Sequence, residues 1–500
     1  MPRVHILLSL TALVLVLASL TSAGPATARP AAQATALDTE RIDDFVESYL
    51  DRHGLPGAEI AVVHDGELVH ERGFGETSDG QQVTPSTKMR IASVSKSITA
   101  FAVLQLVDQG EVELDQPVKR YLPEFEMADV RATEITVRQL LSHTSGHVTP
   151  TIIPPADTLK EGVTRQREWA LAADPGSGYR YSNGNFWTAA RLVEVVSGTG
   201  FDDYLRTNVF EPLRMDDTLS TTTSNEHVAG LADGHVLAYG RGWKWPEMEA
   251  MVAGAGGVVT TAHDMAQWLA MQQRGGVGPD GRRLLSADLV RESHTVQPGG
   301  GSARAGLGWV GSAAGVEPAR LGHGGTDVTV SAQQHLVPSS GYGVMVILNS
   351  STIVTGHPWN ISGGIIEITE GHEPGTRAPV AILVDLGLGL LTILAVGLGV
   401  LGLRRAPGWA KRRAAWPWWR YVLRLVPQLI APAVVVLLFG VATTLQDNSA
   451  VPADVFGLHP AAMILLLTGA AVGIALVVAR LMGRRTSRPA SPPNQEAHAR

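Results

Sequence analysis

The chain has 500 residues, more than one compact domain usually holds. It has no cysteine, which excludes disulfides, thiol catalysis and cysteine-ligated zinc, and its formal net charge of −7 is too mild to argue for a nucleic-acid partner. Mean hydropathy is +0.09, positive because both ends of the chain are strongly apolar.

Arg3 precedes an apolar run from Ile6 to Leu20, and small residues come next, with Thr21-Ser22-Ala23 and Ala26-Thr27-Ala28 as cleavage sites. That order is the signal-peptide pattern, and the run is short for a membrane span. Residues 1–28 are therefore expected to be a signal peptide and residues 29–36 a flexible leader, with the domain from Leu37 onward exported. Ile42, Phe45, Val46, Tyr49 and Leu50 recur at helical spacing and predict a helix up to His53. A strand is expected over Glu59 to His64, a tight turn at Asp65-Gly66 and a second strand over Glu67 to Gly73.

Ser93-Val94-Ser95-Lys96 opens the next element, and Ile98, Phe101, Ala102 and Leu106 continue it at helical spacing. Ser93 and Lys96 then share one face of a buried helix, a turn apart. A serine hydroxyl needs a neighbouring base to attack a carbonyl. A lysine serves if burial lowers its pKa from about 10.4. The start of the helix also points backbone N–H groups at a developing oxyanion. Taken alone, two such common residues at this spacing are a weak signal.

Ile135 to Leu141 reads as a short helix running into Ser142-His143-Thr144-Ser145-Gly146. His143 is read as a satisfied loop histidine without a catalytic role. Tyr181-Ser182-Asn183 lies in a loop before helices expected over Asn185 to Val196 and Phe201 to Val209. Gly254-Ala255-Gly256-Gly257 is a backbone turn and not a phosphate loop, since no P-loop lysine comes after it. Thr261-Ala262-His263-Asp264 caps a helix through Gln272. Strands are expected over Leu307 to Val310, Asp327 to Leu336 and Tyr342 to Leu348, with His323-Gly324-Gly325-Thr326 leading into the second. Strands at both ends with helices between them predict an α+β domain whose sheet is closed by the first and last segments.

Beyond Arg377 lie three apolar stretches, Val380 to Leu403, Tyr421 to Val441 and Ala461 to Met482, each near the ~20 residues that span a bilayer. Arg404, Arg405, Lys411, Arg412, Arg413 and Arg420 lie between the first two; only Asp447 and Asp454 lie between the last two; Arg484, Arg485 and Arg488 come after the third. By the positive-inside rule the exported domain and the acidic loop are outside, and the basic loop and the tail are cytoplasmic.

Ser93-x-x-Lys96, Tyr181-x-Asn183 and His323-Gly324-Gly325, in that order, resemble the serine β-lactamase and penicillin-binding-protein superfamily. They are most similar to the branch with class C β-lactamases, DD-peptidases, D-aminopeptidases and related esterases. The resemblance covers roughly Leu37 to Ser350. It implies a β-lactamase/transpeptidase-like domain, an antiparallel sheet flanked by helices plus a helical subdomain. It also implies Ser93 as the acyl-forming nucleophile and Lys96 and Tyr181 sharing the proton traffic, with the principal base left open. Asn183 would hold Lys96 or a substrate amide, and the backbone N–H groups of Ser93 and Thr326 would form the oxyanion hole. His323, Gly325 and Thr326 would border the substrate. The chain departs from antibiotic-hydrolysing members at His323, where they usually carry lysine, so a fixed positive charge for a β-lactam carboxylate is missing.

The expected organisation is a serine hydrolase domain over residues 37–372, a linker over 373–379, three membrane helices over 380–482 and a cytoplasmic tail over 483–500. No metal and no cofactor are expected. The partners are a small-molecule or peptide substrate, such as a cell-wall peptide, and the membrane, with no nucleic acid. The expected function is a membrane-anchored, multi-pass, extracytoplasmic serine hydrolase acting on D-peptides, β-lactams or small esters. The alternative is a membrane receptor whose outer domain is acylated by β-lactams or peptidoglycan fragments.

Overall fold

The computed structural model describes residues 37–148, 156–352, 354–440 and 456–487. The expected signal peptide, the leader, the acidic loop and most of the tail lie outside the described residues. Helix α1 (Thr39–His53) buries Ile42, Val46, Tyr49 and Leu50, the predicted stripe, and ends where Gly54 turns left-handed. Strands β1 (Gly57–His64) and β2 (Glu67–Gly75) form the expected hairpin. Asp65 and Gly66 both take positive φ, 50° and 84°, as a tight two-residue turn requires.

The main sheet is completed by four later strands: β3 (Val310–Gly311), β4 (Leu321–Thr326), β5 (Ser331–Val337) and β6 (Tyr342–Leu348). The order is β2-β1-β6-β5-β4-β3, antiparallel throughout, so the first and last segments pair at the centre, with Ile60 opposite Val346. Helices cover both faces, which is why Ile60, Ala61, Val62 and Val63 are all fully buried rather than alternately. On one face lies α4 (Ala262–Gln273), capped by Thr261 as its sequence predicts, the Thr261 hydroxyl accepting from the Asp264 N–H at 3.1 Å. On the other lies α5 (His357–Thr369), backed by α1.

Behind the sheet sits α2 (Ser95–Asp108), entered through a short 3-10 turn over Ala92–Val94, and α3 (Asn183–Ser197) packs against α2. Residues 95 to 106 of α2 are all buried, so the helix is held from every side, its polar residues included. One buried polar bond ties it to the sheet directly, and a second reaches it through a residue of α4. Gln334 of β5 donates to the Ser97 hydroxyl at 2.8 Å and accepts from the Trp268 indole at 3.2 Å, while Trp268 meets Phe101 edge-on.

The expected strand at Asp327 is a correction. His323-Gly324-Gly325-Thr326 forms part of its own strand, β4, and Asp327 to Val330 is the turn into β5. Two adjacent glycines conceal β4 because glycine has low strand propensity; tertiary pairing overrides it. The expected Phe201 to Val209 helix is α-helical over Phe201–Leu205 and widens to a π-turn over Arg206–Phe210.

At the C-terminal end two helices are long and apolar enough to cross a membrane, α6 (Val380–Lys411) and α8 (Pro460–Ser487). The expected middle span is described as far as Gly440. It breaks between a helix over Trp418–Leu423 and α7 (Val426–Val435), which continues as a π-helix to Gly440. Arg424 and Pro427 stand at the break, where a charge and a missing N–H both oppose a continuous apolar helix. Small residues let the helices close: a Cβ on Gly399 would lie 2.7 Å from Val472, and one on Gly473 would lie 2.1 Å from the Gln428 carbonyl. The Asp385 carboxylate of α6 is buried and accepts the Tyr239 N–H of the globular domain at 2.8 Å.

Candidate active site

Ser93 stands on a strained turn. Ala92, just before it, has φ 46°, a left-handed conformation uncommon for alanine. Ser95 fixes the turn: its hydroxyl donates to the Ala92 carbonyl at 2.7 Å and accepts the Val258 N–H at 3.1 Å. Strand β4 approaches this turn closely. A Cβ on Gly325 would lie 2.1 Å from the Ile91 carbonyl and 3.0 Å from the Ser93 nitrogen, so only glycine allows the strand so near. Ser93 and Thr326 therefore border the same cavity.

Lys96 is fully buried one turn along. Its Nζ lies 2.9 Å from Ser93 Oγ and 2.6 Å from the Ala255 carbonyl, and 4.9 Å from the centre of the Tyr181 ring. Among the described residues no carboxylate pairs with it, and burial lowers its pKa to about 7, opposed in part by Asp327. The Tyr181 hydroxyl donates to Ser93 Oγ at 2.7 Å. Its pKa is raised, chiefly by desolvation, so the phenol keeps its proton. Two separate stretches of sequence thus converge on one oxygen.

His143 has a larger structural role than its loop position suggests. Its own φ is 55°. Its carbonyl accepts the Arg180 N–H at 2.7 Å and its Nδ1 accepts the Ser182 N–H at 3.2 Å, so it holds both sides of Tyr181. The two rings lie 4.5 Å apart. Burial, with Lys96 close by, lowers its pKa well below the usual value and keeps it neutral. Its Nε2 has no hydrogen-bond partner among the described residues.

His323 and Asn183 face the same cavity, whose volume is about 540 Å³. His323 is 7% exposed and its Nδ1 lies 2.7 Å from the Gly324 carbonyl. Burial first, and Lys96 second, lower its pKa to about 4, so it is neutral at pH 7 and its Nε2 is an acceptor. Asn183 begins α3, and its Oδ1 is buried without a hydrogen-bond partner. Lys96 makes its second bond to the Ala255 carbonyl instead, which leaves Asn183 for a ligand. Sequence reading missed Ala255, Asp327 and Glu247. Ala255 contributes only a backbone carbonyl, which no side-chain pattern reveals. Asp327 and Glu247 are single acids brought to the cavity by tertiary folding. Gly457 and Leu458, just before α8, complete the wall.

A serine with an adjacent buried amine and phenol, on a turn beside an antiparallel edge, defines the class of serine acyl-transfer enzymes. The Beta-lactamase family model matches residues 42–358, and the chain belongs to that family, within the serine β-lactamase and penicillin-binding-protein superfamily of hydrolases. Penicillin-binding protein 4 of Amycolatopsis lactamdurans is 33% identical over 245 residues, 47% of this chain and 64% of that protein. Protein flp of Staphylococcus aureus strain N315 is 26% identical over 329 residues, 62% of this chain and 63% of that protein. The chain thus spans a little under two thirds of the length of these curated relatives. The octameric penicillin-binding-protein homologue from Pyrococcus abyssi shares the fold, with a TM-score of 0.59 and 23% identity over 69% of this chain and 80% of that one.

Gly325→Ala should keep the fold and lose function at Ser93. The added methyl forces β4 away from the Ser93 turn. We expect labelling of Ser93 by a fluorophosphonate probe to slow at least about a hundredfold, the size of losing one oxyanion donor. Circular dichroism should be unchanged; labelling at the wild-type rate would contradict the close-approach argument.

Proposed function

We propose that this chain is a membrane-anchored serine hydrolase that forms an acyl-enzyme at Ser93 on ester or amide substrates outside the cytoplasm. The observation that carries the reading is the convergence of Lys96 Nζ and the Tyr181 hydroxyl on Ser93 Oγ, at 2.9 and 2.7 Å. With its pKa near 7, Lys96 is the principal base, since half of it is neutral at working pH. Tyr181 stays protonated and is a donor. Neutral Lys96 takes the Ser93 proton as Oγ attacks the carbonyl carbon. The backbone N–H groups of Ser93 and Thr326 receive the oxyanion. The proton passes from Lys96 through Tyr181 to the leaving group as its bond to the acyl carbon breaks. Water, deprotonated by the same amine, then releases the acid and restores Ser93.

His323 argues about the substrate. Neutral and acceptor-bearing, it gives a β-lactam carboxylate nothing to bind. Esters, or amides without that carboxylate, suit the site better than penicillins. Membrane anchoring is supported by α6 and α8, by the arginines near the C-terminal end of each, and by the apolar N-terminal run. Signalling by a stable acyl-enzyme is distinguished by the same kinetics, because a receptor retains its acyl group while a hydrolase turns over.

Two measurements test this reading. The kcat/KM for a simple acyl ester should fall about tenfold per pH unit below pH ~7 and level off above it, because only neutral Lys96 accepts a proton. Lys96→Ala should lower acylation by at least about a hundredfold and remove that limb. A flat profile between pH 5.5 and 8.5 would remove Lys96 from the role of base.

The second compares substrates. Wild-type kcat/KM for the ester should exceed that for benzylpenicillin by about a hundredfold or more, and His323→Lys should shift the ratio toward the penicillin by restoring a cation. Efficient penicillin hydrolysis by the wild type would place the chain among β-lactamases proper.

A further inference from the structure

The charged lining of the Ser93 cavity is one-sided. Among the described residues, the charged side chains that line it are Asp327 and Glu247, both carboxylates. Two of the uncharged groups beside them offer acceptors as well: Asn183 Oδ1 is buried without a partner, and His323 has its Nδ1 against the Gly324 carbonyl, which leaves Nε2 as an acceptor; the other polar side chains bear hydroxyls, which carry no charge. We propose that this cavity selects substrates bearing a positive charge, an ammonium on the leaving group or acyl part of the ester or amide, which Asp327 and Glu247 receive. The proposal rests on the hydrolase reading above and narrows its substrate class.

The placement of the two acids is built into the fold. Asp327 comes directly after Thr326 in the turn between β4 and β5, with its N–H on the Val330 carbonyl at 3.0 Å. Its carboxylate is one residue from the edge that borders Ser93. Glu247 is anchored across from it. Its carboxylate accepts the Val328 and Thr329 N–H groups, each at 3.0 Å, and the Thr329 hydroxyl at 2.6 Å. A negative group is thus fixed beside Asp327 by donors of the same turn. Three charged groups act on Asp327: Glu247, Arg90 and Lys96. Arg90 is 4% exposed, donates to the Thr221 hydroxyl at 3.2 Å and the Ser224 carbonyl at 2.7 Å, and does not line the cavity. A ligand therefore meets the carboxylates and not the guanidinium.

Burial and Glu247 together push the Asp327 pKa well up, so its ionised form lacks adequate compensation without a ligand. A cation entering beside Asp327 supplies it. A carboxylate entering there sets a further negative charge beside Glu247 in a poorly solvated space and leaves the ionised form of Asp327 still less favoured. The arrangement favours ammonium over a neutral isostere, and a neutral isostere over an anion. The chemistry at Ser93 is unchanged: the Oγ–acyl bond forms, the bond to the leaving alcohol breaks, the alcohol departs with the relayed proton, and water releases the acid.

The test uses the full-length protein in neutral detergent. Butyrylcholine and its uncharged carbon isostere, 3,3-dimethylbutyl butyrate, have the same shape and differ by one charge. We expect kcat/KM for the choline ester to exceed that for the isostere by about tenfold at pH 8, and Asp327→Asn to reduce that ratio at least about fivefold. If Asp327→Asn does not fold, the wild type still decides. Choline should inhibit hydrolysis of the neutral ester competitively, at least about fivefold more tightly than 3,3-dimethylbutanol. A ratio at or below one in the wild type, a ratio unchanged in a folded Asp327→Asn protein, or equal inhibition by the two alcohols would overturn the charge selection. Turnover of neither ester, with no acyl group on Ser93, would overturn the hydrolase reading itself.

Discussion

A lysine buried with no carboxylate to pair with it is the constraint on which the rest of the site depends. An ammonium so placed is costly, and the amine responds by becoming easier to deprotonate. Lys96 is in that position, fully buried on α2, with the Ser93 hydroxyl and the Ala255 carbonyl as its hydrogen-bond partners among the described residues. The surrounding structure maintains this state. The turn that presents Ala255 is fastened to α2 itself, through the Thr99 hydroxyl on the Gly254 carbonyl at 2.7 Å. Gly254 takes φ 71°, and a Cβ there would lie 2.5 Å from the Phe186 carbonyl, so the turn can press onto α3 only with glycine. The helix, the glycine turn and the tyrosine loop are three remote pieces of sequence serving one pair of atoms.

Much of this is legible in the amino-acid sequence alone. Ser93, Lys96, Tyr181 and His323 carry side chains whose order along the chain has chemical meaning, and the fold brings all four together around one cavity. The hairpin at Asp65-Gly66 and the cap at Thr261 are legible for a local reason, because turn and cap chemistry is written in adjacent residues. The features that escape a sequence reading are non-local or belong to the backbone. The Ala255 carbonyl belongs to no motif. Strand β4 is hidden by Gly324 and Gly325; Gly325 is there because Ile91 and Ser93 lie so close and not because it favours a strand. His143 reads as an ordinary loop histidine, yet its carbonyl and ring nitrogen hold the Tyr181 segment from both sides. In the middle apolar stretch Arg424 and Pro427 leave the start of the helix open to a sequence reading, and the structure places a break there, between Leu423 and Val426.

The apolar helices bear on the site as well as on location. Leu458 and Gly457 border the cavity that holds Ser93, and Phe456 stacks on Trp245 at 5.4 Å. Asp385, an acid within an otherwise apolar helix, has a partner in the backbone of the globular domain at Tyr239. That residue is in a left-handed turn, φ 54°, and its half-buried N–H needs an acceptor. The acid that looks out of place in hydropathy is therefore the point at which the first long helix is joined to the domain carrying Ser93.

The central claim is that Ser93 becomes covalently acylated in the course of turnover. It is tested most directly by mixing the full-length protein with an activated acyl ester, quenching in acid within the first turnovers, and mapping the acyl mass by peptide sequencing. The account predicts one acyl group, on Ser93, that disappears as the substrate is consumed. Turnover with an acyl group on any other residue, or with none trapped on Ser93 at any time point under saturating substrate, would contradict it.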